Sequence, residues 1–235
     1  MHNALAYAKR IAYSSETVLQ FTFDQSVKYR DSPGVYVECG VAAGAQIIAM
    51  AAGAPNKTIY AFDSFEGIPL PSNKDDQMPG ICFLTETERK ALPDPGAQVL
   101  ESSGATVVSI KDFEDHIIRS GVNMPERIFA VKGWFEEIIP TFLNNIEPGL
   151  RMFPNAFDIA ILRLDGDLYN STFVCLKHLY PQVIKGGMVI IDDYGLKGCR
   201  AAVHEYFNLI GEEYLIDHFK FVEDKESCVA YFEKP

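Results

Sequence analysis

The chain lacks the features of secreted and membrane-spanning proteins. Its five cysteines are scattered and form no Cys-x-x-Cys pair, which favours reduced thiols and a cytoplasmic location. Residues 1–16 contain no apolar run long enough for a signal peptide. The longest stretch without charge, between Glu38 and Lys57, is interrupted by glycines and a proline and makes a poor membrane span. We therefore expect a soluble protein.

Basic residues are also scarce. The chain has 21 Lys and Arg against 32 Asp and Glu, a formal charge of −11. Nucleic acids and anionic membranes attract clustered basic residues, so neither is expected as a partner. With 235 residues, 48% of them hydrophobic, the chain is long enough to bury one core. We expect a single domain over residues 1–235, without internal repeats.

What the sequence does contain is an alternation of short β-branched runs with helical windows. Two helices are predicted within residues 1–32, broken at Ser14 and Ser15. Strands are predicted at 35–39, 58–62, 127–132, 157–164 and 188–191, and helices at 44–52, 135–144, 171–182 and 198–211. A hairpin of strands 216–222 and 227–233 closes the pattern. This order predicts an α/β fold with a mostly parallel sheet.

Residues 64–108 depart from the alternation. The segment holds five prolines and a charged stretch at 73–77, so its front half is predicted to be a long loop. It is either a tolerated surface insertion or a lid over a site. In the second case, residues 69–80 are expected to be poorly ordered without ligand. A helix capped by Ser109 follows at 110–121.

The first predicted strand ends in a turn that contains candidate ligand-binding residues. Glu38 precedes Gly40 and Gly44, which let the backbone turn tightly and approach a ligand, and Glu38 suits a positively charged group. Asp63 ends the next strand, where doubly wound folds commonly place a carboxylate on a ribose diol. Together these residues predict a nucleoside-type cofactor carrying a positive charge.

Four carboxylates follow two consecutive buried strands: Asp165, Asp167, Asp192 and Asp193. Neighbouring strand ends lie about 4.8 Å apart, so these groups need protons or a cation between them. A set of oxygen ligands without His or Cys favours Mg²⁺ or Mn²⁺ over zinc. The sequence therefore predicts a divalent metal site at the carboxyl edge of the sheet.

Six segments together resemble the macrocin O-methyltransferase family, whose members are S-adenosylmethionine-dependent, Mg²⁺-dependent sugar O-methyltransferases. The segments are VECG (37–40), FDSFEGIP (62–69), KGWF (132–135), LRLDGDLYNST (162–172), GGMVIIDDYG (186–195) and GCRAAV (198–203). The resemblance implies a class I methyltransferase fold: a Rossmann-like, seven-stranded, mostly parallel sheet with helices on both faces and a C-terminal β-hairpin. It also implies a hydroxylated acceptor such as a sugar, and it allows a homo-oligomer.

The resemblance also implies roles for individual residues. Asp165, Asp192 and Asp193 match metal ligands and Asp167 matches the general base. Apart from the resemblance, His178 and His204 are alternative bases, but both lie in predicted helices and are better explained as surface or packing residues. The implied cofactor-binding residues are Glu38, Gly40 and Gly44 at the methionine part, Asp63 and Ser64 at the ribose, Gly133, Trp134 and Phe135 near the adenine, and Asp165.

Two other functions are compatible with parts of this pattern. The Asp-x-Asp motif also holds metal–nucleotide complexes in glycosyltransferases, although a diphosphate gives no use to Glu38. A non-catalytic cofactor-binding module is the other alternative, and it would have no need for four clustered carboxylates.

Overall fold

The computed structural model describes residues 2–75, 85, 87, 90–122, 126–146, 157–224 and 228–235. The strands are β1 (Val35–Cys39), β2 (Ile59–Asp63), β3 (Ile128–Lys132), β4 (Ile159–Leu164), β5 (Val183–Ile191), β6 (Lys220–Phe221) and β7 (Ala230–Glu233). The helices are α1 (His2–Ile11), α2 (Glu16–Tyr29), α3 (Ala45–Gly53), α4 (Ile110–Ser120), α5 (Phe135–Asn145), α6 (Tyr169–Leu179) and α7 (Lys197–Leu209). In this part of the chain, no helix has the length and hydropathy of a bilayer span.

The strands form one seven-stranded sheet in the order β3-β2-β1-β4-β5-β7-β6. Strands β1 to β5 are parallel, and β7 pairs antiparallel with both β5 and β6. The strand order reverses between β1 and β4, and a crevice opens at such a point beyond the carboxyl ends of the strands. The predicted mostly parallel sheet is confirmed.

Side chains alternate between the two faces of the sheet, and each face carries its own apolar cluster. Tyr36 of β1 packs with helices α1 to α4, whereas its neighbour Val37 packs with α5, α6 and α7. This is the period of two expected for a strand covered on both faces. On β4 the alternation contains one charged residue, Arg163, which is fully buried.

The C-terminal antiparallel pair is shorter than predicted. Residues Glu213–His218 form a 3₁₀ helix, so the strand expected at 216–222 is wrong over its first half. Leu215 and Phe219 both pack into the cluster against α7, and a spacing of four places two residues on one face of a strand as well as of a helical turn. Strand β5 also begins earlier than predicted, at Val183 rather than at residue 188.

The 64–108 segment, here called the insertion, is tied together at its base. Its residues 68–70 run antiparallel to 101–105: the Ile68 amide donates to the Ala105 carbonyl at 3.0 Å and the Leu70 amide to the Glu101 carbonyl at 2.9 Å. Residues 69–75 therefore carry specific contacts. Residues 76–80, the rest of the stretch expected to be mobile, lie outside the described residues.

Close packing of α2 against α3 depends on Gly53, the last residue of α3. A Cβ at this position would lie 2.8 Å from the Phe23 carbonyl oxygen and 2.8 Å from the Ser26 Cβ. We predict that Gly53→Ala lowers the free energy of unfolding in urea by about 1–3 kcal/mol, because the helices must separate. Gly96→Ala, which meets no atom within 4 Å, is the matched control and should change it by less than about 0.5 kcal/mol. Equal stability of the two variants would contradict this account.

Candidate active site

A cavity of about 440 Å³ opens at the carboxyl edge of the sheet, in the size range of small-molecule sites. Eleven of the predicted site residues line it: Glu38, Gly40, Asp63, Ser64, Gly133, Trp134, Phe135, Asp165, Asp167, Asp192 and Asp193. The twelfth, Gly44, does not. It begins α3 with a φ of +86°, and a Cβ there would lie 2.9 Å from the Phe113 ring. The structure thus gives Gly44 a packing reason for being glycine.

Gly40 lets the turn after β1 touch the turn after β4. Its φ is +87°, and a Cβ would lie 1.7 Å from the Asp165 carbonyl oxygen. The contact is fixed by backbone hydrogen bonds, since the Asp165 amide donates to the Cys39 carbonyl at 2.8 Å and the Gly40 amide to the Phe62 carbonyl at 2.9 Å. The two acidic turns are therefore held side by side by main-chain atoms.

Asp63 stabilises the turn after β1 through hydrogen bonds to backbone amides. Its Oδ2 accepts from the amides of Val41 at 2.7 Å and Ala42 at 3.2 Å, and its Oδ1 accepts from the Phe65 amide at 2.7 Å. Ala42 adopts a φ of +42°, a conformation that such hydrogen bonds help to hold. Burial raises the pKa of Asp63 above its usual value, although these three amides oppose the shift. Asp63 thus has a structural task beyond the predicted ribose contact.

Beneath the cavity floor, the guanidinium of Arg163 joins three carboxylates. Its Nη1 donates to Glu38 Oε1 at 2.7 Å and to Asp165 Oδ2 at 2.5 Å, and its Nη2 donates to Asp192 Oδ1. Glu38 and Arg163 are register partners on β1 and β4, and both are almost completely buried. Burial outweighs the nearby guanidinium and raises the pKa of Glu38 to about 8.

The four aspartates predicted to form a metal site do converge. One carboxylate oxygen from each of Asp165, Asp192 and Asp193 lies within 4.8 Å of the others. Asp193 Oδ2 accepts from the Asp167 amide at 2.9 Å, which places the backbone of the fourth aspartate beside them. Burial and the neighbouring carboxylates raise the pKa of Asp167 to about 7. Burial likewise raises the pKa of Asp192 to about 7, against the opposing effect of Arg163, and raises that of Asp193.

This donor set fits a divalent cation. Arg163 bonds only one oxygen of Asp165 and one of Asp192, so each keeps a second oxygen for another partner. Glu38 and the four aspartates bring five carboxyl groups to the cavity, but only three of them bond to the one guanidinium of Arg163, and no lysine or arginine among the described residues lines the cavity. Hard oxygen ligands with excess negative charge suit Mg²⁺ or Mn²⁺.

Buried polar atoms without a hydrogen-bond partner in the described chain point to a further ligand. Glu38 Oε2 and Glu136 Oε1 are two of these atoms, and both residues line the cavity. Buried carboxylate oxygens are normally paired, so each is a candidate acceptor for a ligand N–H group.

The comparison with known families agrees with this geometry. The family model described as Macrocin-O-methyltransferase (TylF) matches residues 18–218. The chain belongs to the macrocin O-methyltransferase family. The resemblance inferred from the six motifs is therefore confirmed.

Relatives within this family are named for the methylation of antibiotics. Mycinamicin III 3''-O-methyltransferase of Micromonospora griseorubida is 33% identical over 179 residues, 74% of this chain and 60% of that protein. Demethyldecarbamoylnovobiocin O-methyltransferase of Streptomyces niveus is 32% identical over 194 residues, 79% of this chain and 63% of that protein. The chain thus matches about three fifths of the length of these relatives.

Among solved structures, the O-methyltransferase NovP aligns with a TM-score of 0.66 at 26% identity, over 95% of this chain and 82% of that one. Together with the observed strand order, this confirms the class I methyltransferase fold that the resemblance implies.

Three further residues bear on the roles assigned to the macrocin O-methyltransferase motifs: Arg163, His204 and His178. Arg163 received no role from the sequence, although a charge inside an otherwise hydrophobic strand was the available signal. His204, an alternative base, is exposed on α7, lies 3.0 Å from the Tyr194 hydroxyl through its Nε2, and does not line the cavity. His178 on α6 does not line it either.

Arg163 is the one cation of this ion-pair network, so its removal is expected to destabilise the fold strongly. We expect Arg163→Met to lower the free energy of unfolding in EDTA by about 3–5 kcal/mol, because three carboxylates lose their buried partner. Arg163→Lys keeps the charge but not the fork of donors, and should recover part of the loss. Urea unfolding followed by circular dichroism measures both. A Met variant as stable as the parent would show that the network is not needed for folding.

Proposed function

We propose that this protein is an S-adenosylmethionine-dependent O-methyltransferase that methylates a hydroxyl of a sugar or a similarly polyhydroxylated small molecule. One observation carries this proposal: the Glu38 turn and the aspartate cluster line the same cavity, and Arg163 bonds to carboxylates of both. One half suits a cationic cofactor and the other a divalent metal beside an acceptor oxygen. Membership of a family of O-methyltransferases supports the same reaction.

The cofactor is proposed to lie over the turns after β1, β2 and β3. Bound S-adenosylmethionine would supply a methyl group already activated on its sulfonium. Glu38 offers its unpartnered Oε2 to the cofactor's ammonium group, and Ser64 lies at the end of β2 for the ribose. Gly133, Trp134 and Phe135 form the wall proposed for the adenine, where the orphaned Glu136 Oε1 is a further acceptor.

Asp165, Asp192 and Asp193 are proposed to hold Mg²⁺ or Mn²⁺. The metal would lower the pKa of an acceptor hydroxyl and fix its direction. Asp165 takes part in both halves of the site, because its backbone contacts the β1 turn while its carboxylate belongs to the metal triad.

Asp167 is proposed as the general base. Asp167 lines the cavity beside the proposed metal ligands, where a carboxylate can take the proton of an acceptor hydroxyl. The cofactor would supply the methyl group with breakage of its carbon–sulfur bond, and Asp167 would take the proton of the acceptor hydroxyl. S-adenosylhomocysteine and the methyl ether are the products.

The acceptor is proposed to occupy the outer part of the cavity. Tyr13 and Ser14, between α1 and α2, line this part together with Ile68, Pro69 and Thr106 of the insertion. A sugar hydroxyl is the finer proposal within the class of small hydroxylated molecules. A cytoplasmic location and a homo-oligomeric assembly are also proposed.

The glycosyltransferase alternative is less well supported. A nucleotide diphosphate needs cations besides the metal, and the described cavity wall has no lysine or arginine. Calorimetric titration with S-adenosylhomocysteine and with UDP separates the two proposals. Binding of UDP alone would overturn the methyltransferase assignment.

The metal proposal predicts a loss of affinity when one ligand charge is removed. Asp165→Asn and Asp193→Asn should each weaken Mn²⁺ binding by at least about tenfold, measured by electron paramagnetic resonance of the free ion. Asp24→Asn, an exposed aspartate on α2, is the control and should bind like the parent. If the parent binds no Mn²⁺ or Mg²⁺ and EDTA leaves its activity unchanged, the cluster is not a metal site.

The base proposal predicts a selective loss of rate. Asp167→Asn should lower the turnover number by about 10²–10⁴-fold while the affinities for Mn²⁺ and S-adenosylhomocysteine stay close to those of the parent. His204→Gln tests the alternative base and should retain activity, since His204 lies away from the cavity wall. An active Asp167→Asn protein together with an inactive His204→Gln protein would reverse the two roles.

A further inference from the structure

The two helices that follow the aspartate-bearing turns begin without a cap of their own. Helix α6 follows Asp167 directly and has Leu168 at its N-cap, and α7 follows the Asp193 turn with Leu196 at its N-cap. Neither leucine has a side chain that accepts a hydrogen bond, so first-turn amides need another acceptor.

Asp75 of the insertion supplies that acceptor to α6. Its Oδ1 accepts from the Tyr169 amide at 2.8 Å, and Tyr169 is the first residue of the helix. Its Oδ2 accepts from the Ser72 amide at 3.0 Å and from the Ser72 hydroxyl at 2.6 Å. Asp75 is only 3% exposed, and a buried carboxylate at the positive end of a helix is well stabilised.

The same carboxylate also lies against the first turn of α7. A Cβ on Gly198 would fall 2.1 Å from Asp75 Oδ1, so this position accepts only glycine while Asp75 is in place. Lys74 adds contacts on both helices, since its Nζ lies 3.7 Å from Glu205 of α7 and 5.1 Å from the Tyr169 ring centre. The insertion is therefore docked where the two helices start.

The turn that carries Asp167 is consequently held from both sides. On one side the Asp167 amide donates to Asp193 Oδ2, and on the other Asp75 fixes Tyr169, two residues further along. Asp167 itself has a φ of +58°, a conformation that a non-glycine residue keeps only when its surroundings enforce it. Asp75 does not line the cavity, so it acts through this turn.

We propose that Asp75 is a positioning residue that caps α6 from the insertion and thereby holds the turn presenting the Asp167 carboxylate. The expected effect of Asp75 on methyl transfer rests on the proposed function. The expected effect of Asp75 on the position of the Asp167 turn does not. The insertion is then part of the catalytic framework as well as a wall of the cavity.

Amide hydrogen exchange of Asp75→Ala tests the proposal directly. Loss of the cap should speed exchange of the Tyr169 and Asp167 amides by about fivefold or more, with α3 amides as the internal reference. Asp75→Asn keeps an oxygen acceptor and should give a smaller increase. Asp94→Asn, which removes an exposed charge from the same insertion, is the control and should exchange like the parent.

Gly198→Ala approaches the same contact from the other side. Its Cβ must displace Asp75 without removing the carboxylate, so exchange at Tyr169 and Asp167 should rise as in Asp75→Ala. In the Asp75→Ala/Gly198→Ala double variant the two effects should not add.

Turnover completes the test. Both single variants should lower the turnover number by about tenfold, a loss typical of a displaced catalytic group, while the affinity for S-adenosylhomocysteine stays unchanged. Unaltered exchange at Asp167 in Asp75→Ala would overturn the proposal, as would faster exchange with a parental turnover number. If the parent methylates no acceptor, the proposed function fails, and exchange at Asp167 still decides whether Asp75 holds the turn.

Discussion

One buried guanidinium sets the charge balance on which the site depends. Arg163 lies on the central strand β4 and contacts three carboxylates: Glu38 on β1, Asp165 at the end of β4 itself, and Asp192 at the end of β5. Ions are costly to bury, so these acids remain together only because the cation beneath them offsets part of their repulsion. The offset is incomplete, since Asp167 and Asp193 add two carboxyl groups beside Asp165 and Asp192, and their pKa values are raised by burial and by nearby carboxylates. A further positive charge at the carboxyl edge of the sheet would therefore be stabilised by these carboxylates.

Main-chain contacts fix the positions of the two acidic turns at this edge of the sheet. The Gly40 turn approaches the Asp165 carbonyl so closely that a side chain has no room, and Asp63 holds the same turn through three backbone amides. The proposed cofactor half and metal half are consequently fixed relative to each other by main-chain atoms. Such preorganisation matters for methyl transfer, because an acceptor oxygen must be aligned within a fraction of an ångström of its line of attack.

The sequence predicted the sheet and its acidic edge well, because both depend on local patterns. Nearly continuous hydrophobic runs marked β4 and β5, and carboxylates directly after buried strands were expected to meet at one edge. It failed where a residue's role depends on distant partners. The partners of Arg163 and Asp75 lie up to 125 and 94 positions away, and no local pattern encodes such pairings. The 3₁₀ helix at Glu213–His218 was missed because its apolar residues suit a strand or a helical turn equally.

The insertion shows how a fixed reaction centre can coexist with an adaptable wall. Its Asp75 end is packed against α6 and α7, whereas Ile68, Pro69 and Thr106 face the cavity. The first part is constrained by a buried carboxylate and by a glycine that leaves no space. The second part lines the region proposed for the acceptor, as does Tyr13 between α1 and α2. Because the wall residues take no part in the Arg163 network, they can change to suit another acceptor without disturbing the charges that make the edge acidic.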